Sequence, residues 1–457
     1  MRTSVTNGQR QRGSVLVMAT ILSFGMFVSG LSYLGLVNKL VLETDDYVVR
    51  NQAMYAAMAG MVDEIMYAAI YAPGHNHRLK RANYFGSVYT SGNLIYGGQQ
   101  QGMFGGVNVS YSSVGIGAAT SHSGASYEYR VSSGHKSSTF ADYLYLTDAE
   151  TDMVGGGTIY FWTPDTLDGK VHTNDHISIM PWADRPVFYK RVTSSASYIY
   201  PTDNHAYFGE GLYLNMPEIY FPDQALEIRN YAAGQHTYGS YTQNEVYWIL
   251  LLNGGYKINM SEDRGDTWLQ DFSDLELIPI PAAGAIFVQG KCWVSTTEYP
   301  DMQYPPEAGF NGRVTIGSSD TLYIRGKTIV SCWDSFSRTI PLTCNDAIGL
   351  ISERWVLVSD RIPDDHYGIE INAGIAALRG SFSVDKVYSN AKEHESLLVY
   401  GSLAQYHRGI VHRGSCGSGM GYCQKDYKYD DRFRDNPPPH FIPIDNEKPI
   451  YQENFYN

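Results

Sequence analysis

The sequence predicts a mainly β protein that begins with one long α-helix. The segment from Ser14 to Val37 is uncharged and apolar, and the first proline of the chain is Pro73, so nothing interrupts a helix that starts there. After Pro73 the chain is rich in glycine and tyrosine and alternates between apolar and polar residues, which is typical of β-strands. We therefore expect a transmembrane helix followed by a β-rich domain and a right-handed β-helix-like solenoid.

The N-terminal segment has the features of a membrane anchor. Residues 1–13 form a basic leader with Arg2, Arg10 and Arg12. The apolar run from Ser14 to Val37 would span roughly 36 Å as a helix, which exceeds a hydrocarbon core of about 30 Å. The helix is predicted to continue through residues 14–72, because the following segment is free of proline and rich in Ala, Met and Leu.

The outer half of this helix carries small residues at nearly helical spacing. Small side chains allow another helix backbone to approach closely, so this face is predicted to pack against a neighbouring helix. The residues concerned are Ala53, Ala56, Ala57 and Gly60.

The triplet Arg12-Gly13-Ser14, the apolar run and the later RNQAMYAAMAGMVDEI together resemble the N-terminal domain of type IV pilins, in particular the PilX type of minor pilin. The resemblance implies cleavage by a prepilin peptidase between Gly13 and Ser14. It also implies partnership with other pilin-like subunits and with the pilus assembly machinery. Met18 stands where pilins usually have glutamate, which suits a rare subunit at a filament tip or in an initiating complex better than a shaft subunit.

Two other interpretations of the N-terminus remain open. A secretory signal peptide also has a basic start and an apolar run, and Val28 to Gly30 offers small residues for cleavage, although the run exceeds the usual 7–15 residues. An uncut, unassembled signal anchor is the second alternative. All three interpretations place the β-rich part of the chain outside the inner membrane.

Composition narrows the classes of function. The net charge is −13, and no basic patch follows the leader, so nucleic acid is not expected as a partner. The exported location permits disulfides. Cys416 with Cys423 and Cys332 with Cys344 are the most plausible pairs, which would leave Cys292 over, and no CxxC pattern suggests zinc.

The remainder divides into four predicted segments. Residues 73–140 form a Gly/Ser/Tyr-rich β region, 141–278 a β-rich domain, 279–415 a β-solenoid and 416–457 a tail that caps its last turn. The run from Asp165 to Asp175 resembles a recurring motif of large bacterial pilin-like envelope proteins whose exterior domain has no assigned function. The solenoid is predicted because short apolar stretches each end near a glycine, which stacked strands require, and a twisted sandwich is the alternative. These glycines are Gly290, Gly317, Gly326, Gly380 and Gly401.

Few residues suggest chemistry. His172, Asp175 and His176 have metal-ligand chemistry, but on one strand the two imidazoles would lie about 13 Å apart, so no metal site is expected. Residues 261–268, SEDRGDTW, fit an Asp-box hairpin and contain an Arg264-Gly265-Asp266 tripeptide, which we attribute to chance. A final acidic cluster is interpreted as a solvated turn rather than a calcium site. It comprises Asp426, Asp430, Asp431 and Asp435.

Two functions from different classes follow. The first is a structural one, a membrane-anchored minor pilin-like subunit that exposes a β-rich domain. The second is an anchored or exported adhesin that binds polysaccharide through tyrosine-rich surfaces. No catalytic motif or cofactor site is recognised, so we expect no enzymatic activity.

Overall fold

A computed structural model describes the backbone of most of the chain. Side chains of residues 8–15, 60–118, 129–137 and 445–454 are not part of this description. The described backbone comprises residues 8–71, 77–82, 89–96, 102–104, 107–109, 111–120, 124, 126–162, 165–180, 185–201, 206–234, 236–240, 245–265, 268–270, 272–296, 309–359, 368–389 and 391–454.

The chain separates into two compact units. Unit 1 comprises Met1–Lys136 and Lys448–Asn457, and unit 2 comprises Ser137–Glu447. Within the described residues, the α-helices are α1 Gly8–Tyr71 and α2 Leu226–Ala232. The first strands are β1 His77–Ala82, β2 Tyr89–Tyr96, β3 Gly102–Phe104, β4 Val107–Val109, β5 Tyr111–Thr120, β6 Ser126–Thr139, β7 Tyr145–Ala149, β8 Thr166–Asp168, β9 Val171–Thr173, β10 Val187–Phe188, β11 Val192–Ser194, β12 Tyr207–Phe208 and β13 Leu212–Tyr213. The others are β14 Thr237–Tyr238, β15 Val246–Leu252, β16 Gly255–Ser261, β17 Ile278–Pro279, β18 Ala285–Val288, β19 Lys291–Ser295, β20 Arg313–Ser318, β21 Leu322–Ile324, β22 Ala347–Ser352, β23 Val356–Val358, β24 Ile369–Ile371, β25 Gly374–Ala377, β26 Phe382–Val384, β27 Glu393–His407, β28 His412–Arg413, β29 Met420–Tyr429 and β30 Pro443–Asn454.

Unit 1 is built on one unbroken helix. In the described residues, the helix α1 spans the 64 residues Gly8–Tyr71, so it already includes Gly13 and the part of the basic leader that the structure describes. Its end at Tyr71, shortly before Pro73, agrees with the predicted end. A long apolar N-terminal helix, expected from the sequence, is therefore confirmed.

An antiparallel sheet accompanies the helix in unit 1. Its strand order is β1-β2-β5-β6-β30, and β5 packs against α1. The strands within residues 73–140 agree with the β region predicted there. The fifth strand comes from the C-terminus, and because that strand is far away in sequence no local pattern could have predicted it.

Unit 2 consists of parallel strands stacked in three ladders. The long ladder runs in the order β14-β18-β20-β22-β25-β27-β7-β9-β11-β13, with every neighbouring pair parallel. The second ladder is β15-β19-β21-β23-β26, and it is extended by the antiparallel strands β16 and β17. The third ladder is β24-β27-β29-β8-β10-β12. The protein is thus mainly β.

The path of the chain through these ladders is not sequential from end to end. The chain enters in the middle of the long ladder at β7 and proceeds outward to β13, which we call the first arm. It then crosses by α2 to β14 at the opposite end and returns through β18 to β27, which we call the second arm. The arms meet where β27 pairs with β7 and β29 pairs with β8, and we call this junction the seam.

The interior of the stack is a row of aliphatic residues in register. On the long ladder, Ile316, Leu350, Ile375 and Leu403 follow one another as direct neighbours, and all are buried. On the second ladder, the corresponding row is Val294, Ile324, Val358 and Val384. Because each turn buries its inward side chains against the neighbouring turns, stability comes from the stacking rather than from any single turn.

Two of the predicted glycines show why this sequence suits stacked strands. Gly290 lies between β18 and β19 with φ of 144°, a left-handed conformation that favours glycine. Gly401 lies inside β27, where a Cβ atom would come within 2.0 Å of the carbonyl oxygen of Ala373. Glycine therefore serves both the turn and the close approach of adjacent turns.

Two predicted boundaries are wrong. No domain boundary separates residues 141–278 from 279–415, because β18 pairs with β14 and β19 pairs with β15. The C-terminal tail 416–457 does not cap the last turn. Its strand β29 lies inside the third ladder, and Phe433 and Phe441 then cover the outer side of the long ladder. The apolar outer side of that ladder provides the larger surface to bury, which explains this course.

Candidate functional site

The small residues of α1 face a strand of the same chain. Ala53 is fully buried, Ala56 is buried, and both belong to a cluster with Val49 and Ala119 of β5. The Arg50 guanidinium lies 4.7 Å from the centre of the Tyr127 ring at the same contact. Within the chain the partner of this face is therefore a sheet rather than the expected helix, because small side chains admit any closely approaching backbone. Ala57 is also buried, and the surroundings of Gly60 lie outside the described side chains.

The other half of α1 is apolar and uncovered. Within Leu16–Ala59, the most apolar 18-residue stretch has a mean hydropathy of 1.7 and none of it is buried, so the helix is long and apolar enough to cross a membrane. Leu16, Phe24 and Leu34 are each at least 60% exposed. Gly13 and Ser14 lie in the helical backbone, but their side chains belong to the part that is not described.

A cavity of about 350 Å³ lies at the seam of unit 2. Residues of the aliphatic rows are replaced by polar ones at this point. On the long ladder Tyr145 follows Leu403, and on the third ladder Lys425 is the neighbour of Leu397. The interior of the stack is thus polar where the two arms meet.

A network of buried charges surrounds the cavity. The Arg408 Nη1 atom donates to Glu150 Oε2 at 3.0 Å and to the carbonyl oxygen of Ile159 at 3.2 Å. Lys425 Nζ lies 3.0 Å from Asp165 Oδ1, and Arg408 Nη2 lies 4.0 Å from Asp165 Oδ2. Since burying charges in a core is costly unless they are paired, this pairing is a condition for the seam to form.

Aromatic rings support the same charges. The Arg408 guanidinium lies 3.6 Å from the centre of the Phe161 ring, a cation–π contact. Burial raises the pKa values of Tyr145 and Tyr427, so both remain neutral phenols. Burial alone would lower the pKa of Arg408, but nearby Tyr145, Glu150 and Asp165 raise it, so the guanidinium stays charged.

The side-chain amide of Gln405 fixes the floor of the cavity. Gln405 Nε2 donates to Tyr145 Oη at 3.0 Å, while Gln405 Oε1 accepts the N–H groups of Phe382 at 2.9 Å and Gly409 at 3.0 Å. This side chain joins the long and the second ladder through three hydrogen bonds. The geometry of the floor is therefore set before any ligand arrives.

The residues of the histidine cluster are held by hydrogen bonds within the chain. His172 is buried, with Nδ1 2.9 Å from Thr193 Oγ1 and Nε2 3.0 Å from Asn174 Oδ1, so both ring nitrogens are engaged. Burial lowers the pKa of His172. His176 turns instead to Asp175, with Nδ1 2.7 Å from Oδ1, and stacks on Tyr198.

The cysteines lie as the sequence analysis paired them. Disulfides join Cys332 to Cys344 and Cys416 to Cys423, and Cys292 is free and buried. In the described part of the chain, two groups of three side chains have metal-ligand spacing, one with His412 and one with Asp346. Each group includes a disulfide pair, whose sulfur atoms are not available as thiolates.

The Asp-box hairpin has a structural role. Ser261 Oγ donates to Asp263 Oδ1 at 2.6 Å and accepts from the Gly265 N–H at 2.8 Å, and Trp268 packs 4.9 Å from Trp293 between ring centres. Asp266 and Thr267 lie outside the described residues. The Trp293 ring that Trp268 contacts also lies against Gly265 of the turn.

The C-terminal carboxylates face cations of the chain. Asp430 pairs with Arg432 at 2.6 Å, and Asp426 lies 3.6 Å from Arg338 and 3.9 Å from Lys428. Asp435 lies 3.5 Å from Arg434. These carboxylates are satisfied without a calcium ion.

Sequence reasoning missed the seam residues Glu150, Asp165, Gln405, Arg408 and Lys425. One signal was available, because Asp165 opens the recurring motif. Their juxtaposition was not predictable, since Arg408 and Glu150 are 258 residues apart.

Comparison with known proteins gives little further guidance. A family model described as a domain of unknown function (DUF4900) matches residues 111–197, which is a small part of the chain. No curated protein matches the sequence. Among solved structures, the crystal structure of the competence-associated pilin ComZ from Thermus thermophilus is similar at 10% identity, over 89% of this chain and 98% of that chain, with a TM-score of 0.32. A TM-score this low carries no argument about fold or function.

Proposed function

We propose that this chain is a minor pilin-like subunit of a type IV pilus or a related filament. In this role α1 anchors the protein in the inner membrane as a single span, and the β-rich body stays on the outer side. Its partners are other pilin-like subunits and the pilus assembly machinery. The role is structural, with no catalytic step assigned to it.

The observation that carries the proposal is the contrast between the two halves of α1. Its first half exposes large apolar side chains, for example Leu16 at 70% and Met26 at 71%, while its second half buries Ala53 and Ala56 on the chain's own sheet. Exposed apolar surface of this extent needs a bilayer or other helices to cover it. One continuous rod provides both a storage site in the membrane and an attachment for the folded body.

The parallel ladders support the finer part of the proposal. We infer that unit 2 forms a β-helix-like solenoid, because its strands recur in the order long ladder, second ladder, third ladder along much of the second arm, as in β22, β23 and β24. Such a solenoid presents a regular, rigid surface.

The test is processing of the N-terminus. The full chain is expressed with and without a prepilin peptidase, and the amino terminus of the membrane-extracted protein is sequenced. Cleavage that depends on the peptidase and yields Ser14 as the first residue supports the proposal. Cleavage after Gly30, or no cleavage, contradicts it.

A matched pair of variants controls for general effects on the leader. Gly13→Val should abolish processing, whereas Gly8→Val in the same leader should leave it intact. The uncleaved Gly13→Val protein should remain in the membrane fraction after carbonate extraction, because the apolar segment is unchanged. Equal processing of the two variants would show that Gly13 is not the recognised position.

A further inference from the structure

The seam cavity has an opening and a closed floor. Trp162 is 37% exposed, and Arg413 and Thr158 are also exposed, so they mark the opening. Tyr145, Leu403 and Arg408 are buried and form the floor. The volume of about 350 Å³ is at the small end of ligand pockets, which span roughly 300–1,000 Å³.

The lining of the cavity is cationic although the whole chain is strongly acidic. Its lining includes Arg408, Arg413 and Lys425 and one carboxylate, that of Asp165. Glu150 pairs with Arg408 behind the lining and Asp165 pairs with Lys425, so the excess positive charge is that of Arg413 at the opening. The net charge of the chain is −13. This local reversal of charge favours an anionic ligand over a neutral or cationic one.

Lys425, which lines the cavity, can supply further hydrogen bonds to a ligand there. An ammonium group has three N–H donors, and Asp165 takes one of those of Lys425 at 3.0 Å. The Lys425 side chain keeps 15% of its surface exposed, so a ligand can reach it. Its remaining donors suit the oxygen atoms of a carboxylate or hydroxyl.

Aromatic rings occupy the other side of the lining. Tyr160, Phe161, Trp162 and Tyr427 lie around the cavity, and Trp162 offers an exposed ring at the opening. Aromatic rings provide flat apolar surfaces with polar edges, which suit a compact ligand that has both an apolar face and hydroxyl groups. A simple inorganic anion would make no use of the exposed Trp162 ring at the opening.

We propose that the seam cavity binds a carboxylate-bearing sugar. The sugar ring packs against Trp162, and its carboxylate lies towards Lys425 and Arg413. The small volume fits one or two sugar units rather than a long chain. This binding does not depend on the filament role, because every residue involved lies in unit 2.

The test is isothermal titration calorimetry on the full chain in detergent, with glucuronate, glucose and acetate as the probes. Glucuronate should bind at least tenfold more tightly than either of the others, because only it offers both the ring and the charge. Absence of saturable glucuronate binding would overturn the proposal. Equal binding of glucose, or of acetate, would overturn it as well.

Two variants at the opening locate the site without disturbing the buried network. Trp162→Ala and Arg413→Gln should each weaken glucuronate binding about tenfold. The matched controls are Phe336→Ala, whose ring is 98% exposed, and Arg354→Gln, whose side chain is 56% exposed, and both should bind as the unmodified protein does. Unchanged binding in Trp162→Ala and Arg413→Gln would show that the sugar binds elsewhere and would overturn the assignment to the seam.

Discussion

The second arm and the seam of unit 2 have the same strand geometry but opposite interiors. In the second arm, Leu350 and Ile375 are direct neighbours in an aliphatic row. At the seam, Tyr145 and Lys425 take the equivalent places, with Arg408 and Asp165 beside them. Regular stacking of strands therefore does not require an apolar interior throughout, provided that the buried charges, here those at the seam, are paired.

Tryptophan fluorescence can follow this comparison selectively. All 7 tryptophans of the chain lie within Ser137–Glu447, so chemical denaturation followed by their emission reports unit 2 alone. The following variants are measured in this way on the full chain in detergent.

The largest effect is expected from breaking the buried network at the seam. Arg408→Met removes the partner of Glu150, whose side chain is 1% exposed, and should lower the free energy of unfolding by about 3–5 kcal/mol. Arg354→Met is the control, because its pair with Asp320 is exposed, and it should change stability by less than about 0.5 kcal/mol.

The double variant Arg408→Met/Glu150→Met sharpens this result. With both charges gone, most of the loss should be recovered, because no unpaired charge remains buried. If the double variant is as unstable as Arg408→Met, the pair of Arg408 and Glu150 adds net stability instead of only neutralising two buried charges. Our account of the seam would then be wrong.

The next effect concerns the aliphatic row. Leu350→Ala should destabilise unit 2 by about 3 kcal/mol, since it removes buried methyl groups and leaves a cavity between two turns. Leu342→Ala, at a side chain that is 77% exposed, should be close to neutral. Similar losses for the two leucines would contradict the assignment of Leu350 to the interior.

The disulfides differ in the length of chain they close. Replacing Cys332 and Cys344 by serine should cost about 2 kcal/mol, because the bond constrains residues 12 apart in the unfolded chain. Replacing Cys416 and Cys423, which are 7 apart, should cost a few tenths of a kcal/mol less. A larger loss from the shorter loop would indicate that this bond supports the seam strand β29 directly.

The smallest effect is a dependence on pH in the first arm. Burial lowers the pKa of His172 below its unfolded value of about 6.5, so the unfolded chain takes up a proton first as the pH falls. The stability that the neutral imidazole contributes to the folded state is fully present above the unfolded pKa of about 6.5. It is lost as the pH falls through the lowered pKa of the folded state. His172→Gln should make unfolding less sensitive to pH between about 7 and 5, whereas His176→Gln, at a half-buried ring, serves as the control. Equal pH sensitivity of the His172→Gln variant and the unmodified protein would show that another group is responsible.

Features of the fold were predictable from the sequence when the interactions behind them join residues that are close along the chain. The helix α1 was predictable because its signals, an apolar run and the absence of proline before Pro73, are local. Strands such as Leu322–Ile324 were predictable because a glycine, Gly326, follows at once. The order of strands was not predictable, because β27 pairs with β7 across most of unit 2.

The candidate site shows the same limit more sharply. Asp165 belongs to a motif that attracted attention in the sequence, but its partner Lys425 comes from a distant strand. Each residue alone resembles an ordinary surface charge. Only the joining of the two arms places them inside the stack.

The chain enters unit 2 in the middle of the long ladder, and this affects how the number of stacked turns can change. Both connections of unit 2 leave from the seam region, at β7 and after β29, whereas the outermost strands β13 and β14 carry no link to the rest of the protein. Whole turns can therefore be gained or lost at either end of the stack during evolution, while the seam cavity and the two connections to unit 1 stay as they are.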